Sequence, residues 1–313
     1  MSGGIGARAP RARGKATGCV PETVQLSQED VSAFEESAKI GLLATVNPEG
    51  LPHVSLITSI QARGSAGLMF GQFSEGLSKS HVKNNPRTGF LVMNRDKEVW
   101  RGKARWTGEA RSGEDYDMYN RKPMFRYNSY FGIHTVHYLE IVELSGKERL
   151  SAAGIAAGSL VTMLSRRFVA TERIEAILRP WAENHVTRLG TLKFFSCVGE
   201  DDYPAIVPVV PCQAAGSGRL VFAPTVHRDE LAAIPAGAVV AVFALNLQME
   251  SVLIRGRFTG YRRYTGLKAG VIDIDWVYNS MPPMQGPIYP AQHESADRAL
   301  GPDENPSAVS SRT

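Results

Sequence analysis

The residues best placed to do chemistry together lie in one short stretch, Gly67 to Asn94, GLMFGQFSEGLSKSHVKNNPRTGFLVMN. Ser78, Lys79 and Ser80 follow one another there, and Ser74 stands ahead of them as a candidate helix N-cap. A helix start exposes backbone amides. With two hydroxyls and an ammonium group beside them, those amides make a cradle for one phosphate. The same spacing fits a plain surface helix, in which Glu75 and Lys79, four apart, form a solvated ion pair. Other chemically able residues are less well arranged. His134 and His137 are three apart, which on a strand puts them on opposite faces, so no metal site is expected from them. Cys19, Cys197 and Cys212 share no metal-ligand spacing, and their odd number fits a reducing compartment. No Gly-x-Gly-x-x-Gly follows a strand pattern, so a Rossmann nicotinamide site is not expected.

The cradle needs elements on both sides to hold it. Leu68 to Phe70 and Phe90 to Met93 are short apolar runs that read as strands, and Asn84-Asn85-Pro86 ends the helix between them. Upstream, Ser27 with Asp30 three residues on is a near match to a capping box, opening a helix that runs to about Ser37. Ile40 to Val46 and Pro52 to Ile60 read as a hairpin about Asn47-Pro48-Glu49-Gly50. Glu98 to Thr107 alternates. Trp100 and Trp106 share one face, read as core, while Arg101, Lys103 and Arg105 share the other, read as solvated charge. Gly113 to Arg126 is a helical or irregular insertion, and His137 to Leu144 is a sixth strand. Five or six short strands with one helix suit a small closed barrel rather than a doubly wound parallel sheet.

The chain then repeats itself. Arg105-Trp106-Thr107-Gly108 returns as Arg257-Phe258-Thr259-Gly260, an offset of 152 residues. The same offset carries Gly67–Phe70 to Arg219–Phe222, Pro52 to Pro204 and Asn94 to Asn246. Only the first hairpin is expected to slip, by three residues, with Ile40-Gly41 matching Leu189-Gly190. The organisation that follows is a disordered basic arm over 1–25, a first barrel over 26–150 and a linker over 151–187. In that linker Ser151 to Gly158 reads as flexible and Leu160 to Leu178 as helical. A second, degenerate barrel spans 188–290 and a disordered polar tail 291–313. Composition agrees with two globular domains: 313 residues, 43% hydrophobic and 21% charged. A net charge of +4 is too small and dispersed to imply a nucleic-acid partner. No apolar run approaches the roughly 20 residues that cross a bilayer. The start has no signal-peptide core, so a cytoplasmic location and no membrane partner are expected.

The order of elements around the cradle can now be compared with known families. A strand ending in Phe70-Gly71, a short helix with Ser78-Lys79, then Asn85-Pro86 and an apolar strand resembles the pyridoxamine 5'-phosphate oxidase-like FMN-binding split-barrel superfamily. The resemblance implies a mainly β fold, a β-barrel with short helices. Here that means two tandem FMN-binding split barrels forming a pseudo-dimer within one chain, with further homodimerisation left open. It also implies FMN as cofactor, with Ser78 and Lys79 on its phosphate. His53, Ser55 and Thr58 would run along the ribityl chain and ring, and Gln72 would reach the flavin from the end of its strand. Read from the residues alone, His53 fits an edge histidine equally well. Ser55 and Thr58, three apart on a strand, face opposite sides, so one of the two contacts is expected through backbone. The implied activity is that of an FMN-dependent oxidoreductase. Hydride would move between NAD(P)H as a transient donor, the flavin, and a small organic acceptor or oxygen. F420 or haem in the same groove, or a non-catalytic flavin-binding protein, are the alternatives. The arginine-rich phosphate strand and C-terminal arginine-leucine motif of the pyridoxamine phosphate oxidases are absent, which argues against vitamin B6 oxidation and leaves the catalytic residues unassigned. At the offset of 152, Ser78, Lys79 and Ser80 become Glu230, Leu231 and Ala232, and Gln72 becomes Pro224. One working site per chain is therefore expected, with His227 and Arg228 the nearby substitutes for a second.

Overall fold

The computed structural model describes residues 25–36, 38–122, 132–169, 177–280 and 286–289. The first half runs α1 (Gln28–Glu35), β1 (Ile40–Val46), β2 (Pro52–Leu56), β3 (Gln61–Arg63), β4 (Gly67–Gln72) and α2 (Leu77–Asn84). It continues with β5 (Arg87–Met93), β6 (Glu98–Ala110), α3 (Glu114–Arg121), β7 (Thr135–Leu144) and β8 (Glu148–Arg149). Two helices, α4 (Ala152–Val169) and α5 (Pro180–Thr187), lead to the second half. That half holds β9 (Leu192–Val198), β10 (Pro204–Pro208), β11 (Gln213–Ala214), β12 (Arg219–Phe222) and α6 (Arg228–Ala233). Strands β13 (Val239–Leu245), β14 (Ser251–Tyr264), β15 (Leu267–Asn279) and β16 (Gly286–Tyr289) complete it.

The two sheets have the same antiparallel order, β2-β1-β5-β6-β7-β4-β3 and β10-β9-β13-β14-β15-β12-β11. Their registers also agree. Val46 pairs with Pro52 as Val198 pairs with Pro204, and Ile40 pairs with Met93 as Leu192 pairs with Leu245. The offset of 152 therefore holds through the first hairpin, and the expected slip of three residues is wrong. Leu189-Gly190 lies in the turn before β9, with Leu189 exposed; its likeness to Ile40-Gly41 is a coincidence of two residues. Even the irregularities repeat. β6 shifts register after Lys103 and Trp106, and β14 after Arg255 and Phe258. The halves diverge where Ala110 leads through α3 to β7, and in their last short strands, since β8 pairs with β6 whereas β16 pairs with β15. In the second half Tyr264 pairs with Leu267 across a turn of Thr265 and Gly266, both with positive φ, as a tight hairpin requires.

Each sheet closes around its own core, with Phe34, Phe70, Phe90 and Trp100 in the first and Phe195, Phe222 and Phe258 in the second. Helix α1 covers the end of the first core. Its Ser27–Asp30 capping box forms as expected, and Trp100 Nε1 donates to Asp30 Oδ1 at 2.7 Å. A third cluster joins the halves: Leu42, Val54 and Leu91 meet Phe194, Ile206 and Phe243, which are their own counterparts at the repeat offset. These side chains alternate with the barrel-core residues along their strands, so one strand serves the barrel core with one face and the junction with the other. Gly89 allows the closest approach, since a Cβ there would collide with the Pro204 carbonyl of the other half.

Two expectations about the linker change. Ser151 to Gly158 is not flexible. Alanine favours helix, and α4 starts at Ala152 and runs to Val169. Leu178 lies outside any helix, and 170–176, like most of the expected arm and tail and residues 123–126 of the insertion, lie outside the described residues. Among the described residues no helix is long and apolar enough to cross a membrane.

Candidate functional site

Helix α2 starts at Leu77, behind an extended Gly76, and no side chain caps it. Ser74 is thus not the N-cap, because the chain stays non-helical for two more residues. The side chain that enters the helix buried is Ser78, which is 1% exposed, and its Oγ has no hydrogen-bond partner. Leaving a buried hydroxyl unpaired costs about 1–3 kcal/mol, so such orphans call for a ligand or water. Lys79 follows. Its ammonium has no hydrogen bond or ion pair with any described residue; burial pushes its pKa down, and Glu75 alone pulls it up. Glu75 precedes the helix, so the solvated helical pair with Lys79 does not form.

These groups open into a cavity of about 300 Å³ between the halves, at the small end of ligand sites. His53, Ser55 and Thr58 line it, as do Gly71 near the end of β4 and Phe73 and Ser74 beyond it. Ser55 and Thr58 both line it; β2 ends at Leu56, where the chain turns, Ile57 N donating to Gly41 O at 2.7 Å. The second half closes the cavity with Met249, Ser251, Tyr278 and Ser280. None of those four was singled out in the sequence, since periodicity does not reveal which residues one half presents to the other.

Gln72 is the expected site residue that the cavity does not include. Gln72 alternates with Gly71 along β4 and shares the face of Phe70, toward the barrel interior. Its Oε1 accepts from His137 Nε2 at 2.7 Å, while Trp106 Nε1 donates to His137 Nδ1 at 3.2 Å. Burial holds His137 at a pKa of about 4, and the knot is structural.

His53 is 3% exposed and boxed in by rings, with His81 at 5.2 Å, Tyr278 at 5.4 Å and Trp276 at 6.4 Å between centroids. Burial, with the charges of His81, Arg255 and Lys79, brings its pKa down to about 3. Neutral imidazole can donate from one nitrogen and accept at the other. His81 is itself tied to Thr45, with Nδ1 3.1 Å from Oγ1. The cavity therefore has an anion-seeking end at α2 and a neutral polar and aromatic wall.

The matching place in the second half is closed by the chain itself. Glu230, in the position of Ser78, is gripped by both guanidinium nitrogens of Arg101 and lies 3.5 Å from His227 Nδ1. Arg101 also pairs with Glu148 at 2.8 Å, so this half-buried residue is not the solvated charge expected of it. Those contacts hold Glu230 at a pKa of about 2 against the opposing effect of burial. Leu231, in place of Lys79, is fully buried in the core. Helix α4 packs over the groove: Thr225 Oγ1 donates to Gly154 O at 3.1 Å and Ala223 N to Thr162 Oγ1 at 3.0 Å. Gly158 has no room for a Cβ between Thr225 and Pro211.

Two sheets of one order, each closed on its own core and sharing a cavity at their junction, define a tandem split barrel. That is the fold which the resemblance to the pyridoxamine 5'-phosphate oxidase-like superfamily implies. No family model and no curated protein matches the chain. Solved structures similar to it include an FMN-binding protein from Syntrophomonas wolfei, 16% identical, covering 39% of this chain and 82% of that one, TM-score 0.32. A FAD-binding protein from Mesorhizobium loti is 16% identical over 40% of this chain and 97% of its own, TM-score 0.31. An F420 reductase is 18% identical over 38% and 98%, TM-score 0.32. Each match spans about two fifths of this chain, and the likeness concerns fold alone.

Proposed function

We propose that this chain is an FMN-dependent oxidoreductase holding one flavin in the cavity between its halves. The observation that carries the reading is a buried Ser78 hydroxyl beside the Lys79 ammonium at the uncapped start of α2, neither with a side-chain partner among the described residues. A phosphate monoester satisfies all three demands at once: it accepts from the hydroxyl, neutralises the cation and meets the helix amides. Thr58 and Ser55 offer hydroxyls to a polyol chain, and His53 and Tyr278 offer ring contacts and hydrogen bonds to a flat heterocycle. Bound FMN would supply hydride chemistry that no side chain here can perform. The protein would contribute orientation, exclusion of water and neutral donors. NAD(P)H would act as a transient donor from the open side, and the acceptor would be a small molecule or oxygen.

The test is a titration of the FMN-free protein, followed by flavin fluorescence. Lys79→Ala should weaken FMN by about 1.5–3 kcal/mol, the worth of a charge-assisted contact, which is on the order of ten- to a hundred-fold. Unchanged affinity with an intact circular dichroism spectrum would remove Lys79 from the site. Stopped-flow mixing of the loaded protein with NADH or NADPH then separates an enzyme from a carrier.

A further inference from the structure

The halves differ instructively at matching positions of β6 and β14. In the first half Lys103 is neutralised twice, by Glu143 Oε2 at 2.6 Å and by Asp201 Oδ2 at 2.9 Å. Glu143 is its cross-strand partner on β7. In the second half the counterpart of Lys103 is Arg255, and its cross-strand partner on β15 is Trp276. The counterpart of Asp201 at the repeat offset is Glu49. The second half has thus kept the cation and exchanged the facing carboxylate for an indole.

The exchange leaves the Arg255 guanidinium without the direct ion pairs that Lys103 has. Its Cζ stands 4.3 Å over the Trp276 ring. Among the described residues its guanidinium has no hydrogen bond and no ion pair; burial pushes its pKa down, and Asp275 and Glu49 act on it only at longer range. A half-buried guanidinium with free donors is unusual, because the fork is suited to carboxylate or phosphate and loses solvation where it stands. The position also leads to the cavity. Trp276 stacks on Tyr278, with centroids 5.3 Å apart and planes 11° from parallel, and Tyr278 lines the cavity. Two strand positions separate those rings, about 7 Å along the chain. His53 is set edge-on to both.

We propose that Arg255 and Trp276 form a subsite for an anionic group, carboxylate or phosphate, of a second ligand whose other end reaches the cavity beside Tyr278. The flavin's own phosphate belongs to the α2 end, and Arg255 is not part of the cavity wall. The subsite stands whether or not the cavity takes FMN.

The test is calorimetric titration of the full chain with inorganic phosphate and with succinate at low ionic strength, in a Lys79→Ala background that removes the other anion contact. Arg255→Met should weaken both anions by about fivefold or more, since the fork is the main contact. Arg257→Met removes the same charge two residues along, from a side chain bonded to the Gly237 carbonyl, and should change affinity by less than about twofold. Trp276→Glu, which restores the arrangement of the first half, should abolish binding. Equal losses in the two arginine variants, or no loss in Arg255→Met, would overturn the subsite. FMN-saturated wild-type protein distinguishes the source of the anion. With Lys79 already occupied by FMN, succinate binding that remains and is lost on Arg255→Met supports a second ligand, and absence of succinate binding would show that the cofactor covers Arg255 and overturn the second ligand.

Discussion

At the scale of single residues, the site is defined by groups left without partners. Ser78 is the sharpest case because its hydroxyl is buried and orphaned. Ser78→Ala should therefore leave the FMN-free protein as stable as before, or slightly more so, while weakening FMN by about 0.5–1.5 kcal/mol. Thermal melts with and without flavin read both effects. A loss of stability in the FMN-free form alone would make the hydroxyl structural. Histidine protonation gives a second residue-scale prediction. His53 and His137 fall from an ordinary 6.5 to about 3 and about 4, chiefly through burial. The unfolded chain then takes up protons first as pH falls. Stability is full above pH 6.5 and declines through the window down to those values, by at most about 1.4 kcal/mol per pH unit for each group. His53→Gln should flatten the slope between pH 6.5 and 4 in urea titrations, whereas parallel curves would contradict a neutral buried His53. FMN affinity should show no histidine step near pH 6.5, because His53 is already neutral there.

The elements were largely legible in the sequence, and the reasons for the exceptions are physical. Alternation, turn residues and the Ser27–Asp30 box located α1, the first hairpin and β4 through β6, since each signal there is local. Helix α2 was found but its start was misplaced, because Ser74 has the chemistry of a cap while the backbone stays extended to Gly76. Gln72 was assigned to the flavin from its place at a strand end, yet a step of one residue on a strand reverses the face. Ser55 and Thr58 were placed on opposite faces on the assumption that β2 runs on to Ile60, whereas it ends at Leu56. Contacts between halves were the least legible: Tyr278 and Ser251 line the cavity from positions on a partner sheet that no local pattern encodes. Gly89→Ala tests that junction. Its Cβ would meet the backbone carbonyl of Pro204, which cannot swing aside as a side chain could. A cost of about 1–3 kcal/mol is expected, as for overpacked cores, measurable by urea unfolding. A neutral result would show that β5 and β10 are less closely fitted.

For the molecule as a whole, duplication supplied two grooves and divergence kept one open. Register agreement from β1 to β6 and from β9 to β14 shows how little the scaffold changed. At the second groove the chain provides its own anion in Glu230, its own cation in Arg101, and its own cover in α4. The second barrel is then free to act as a wall for the first, which is where Tyr278 and Trp276 stand. The measurement that bears most directly on this account is the FMN released per polypeptide when a fully loaded sample is denatured. The account predicts a ratio near one. A ratio near two would show that the α6 groove also takes phosphate, and a ratio near zero, after reconstitution with excess FMN, would contradict the flavin site at α2 altogether.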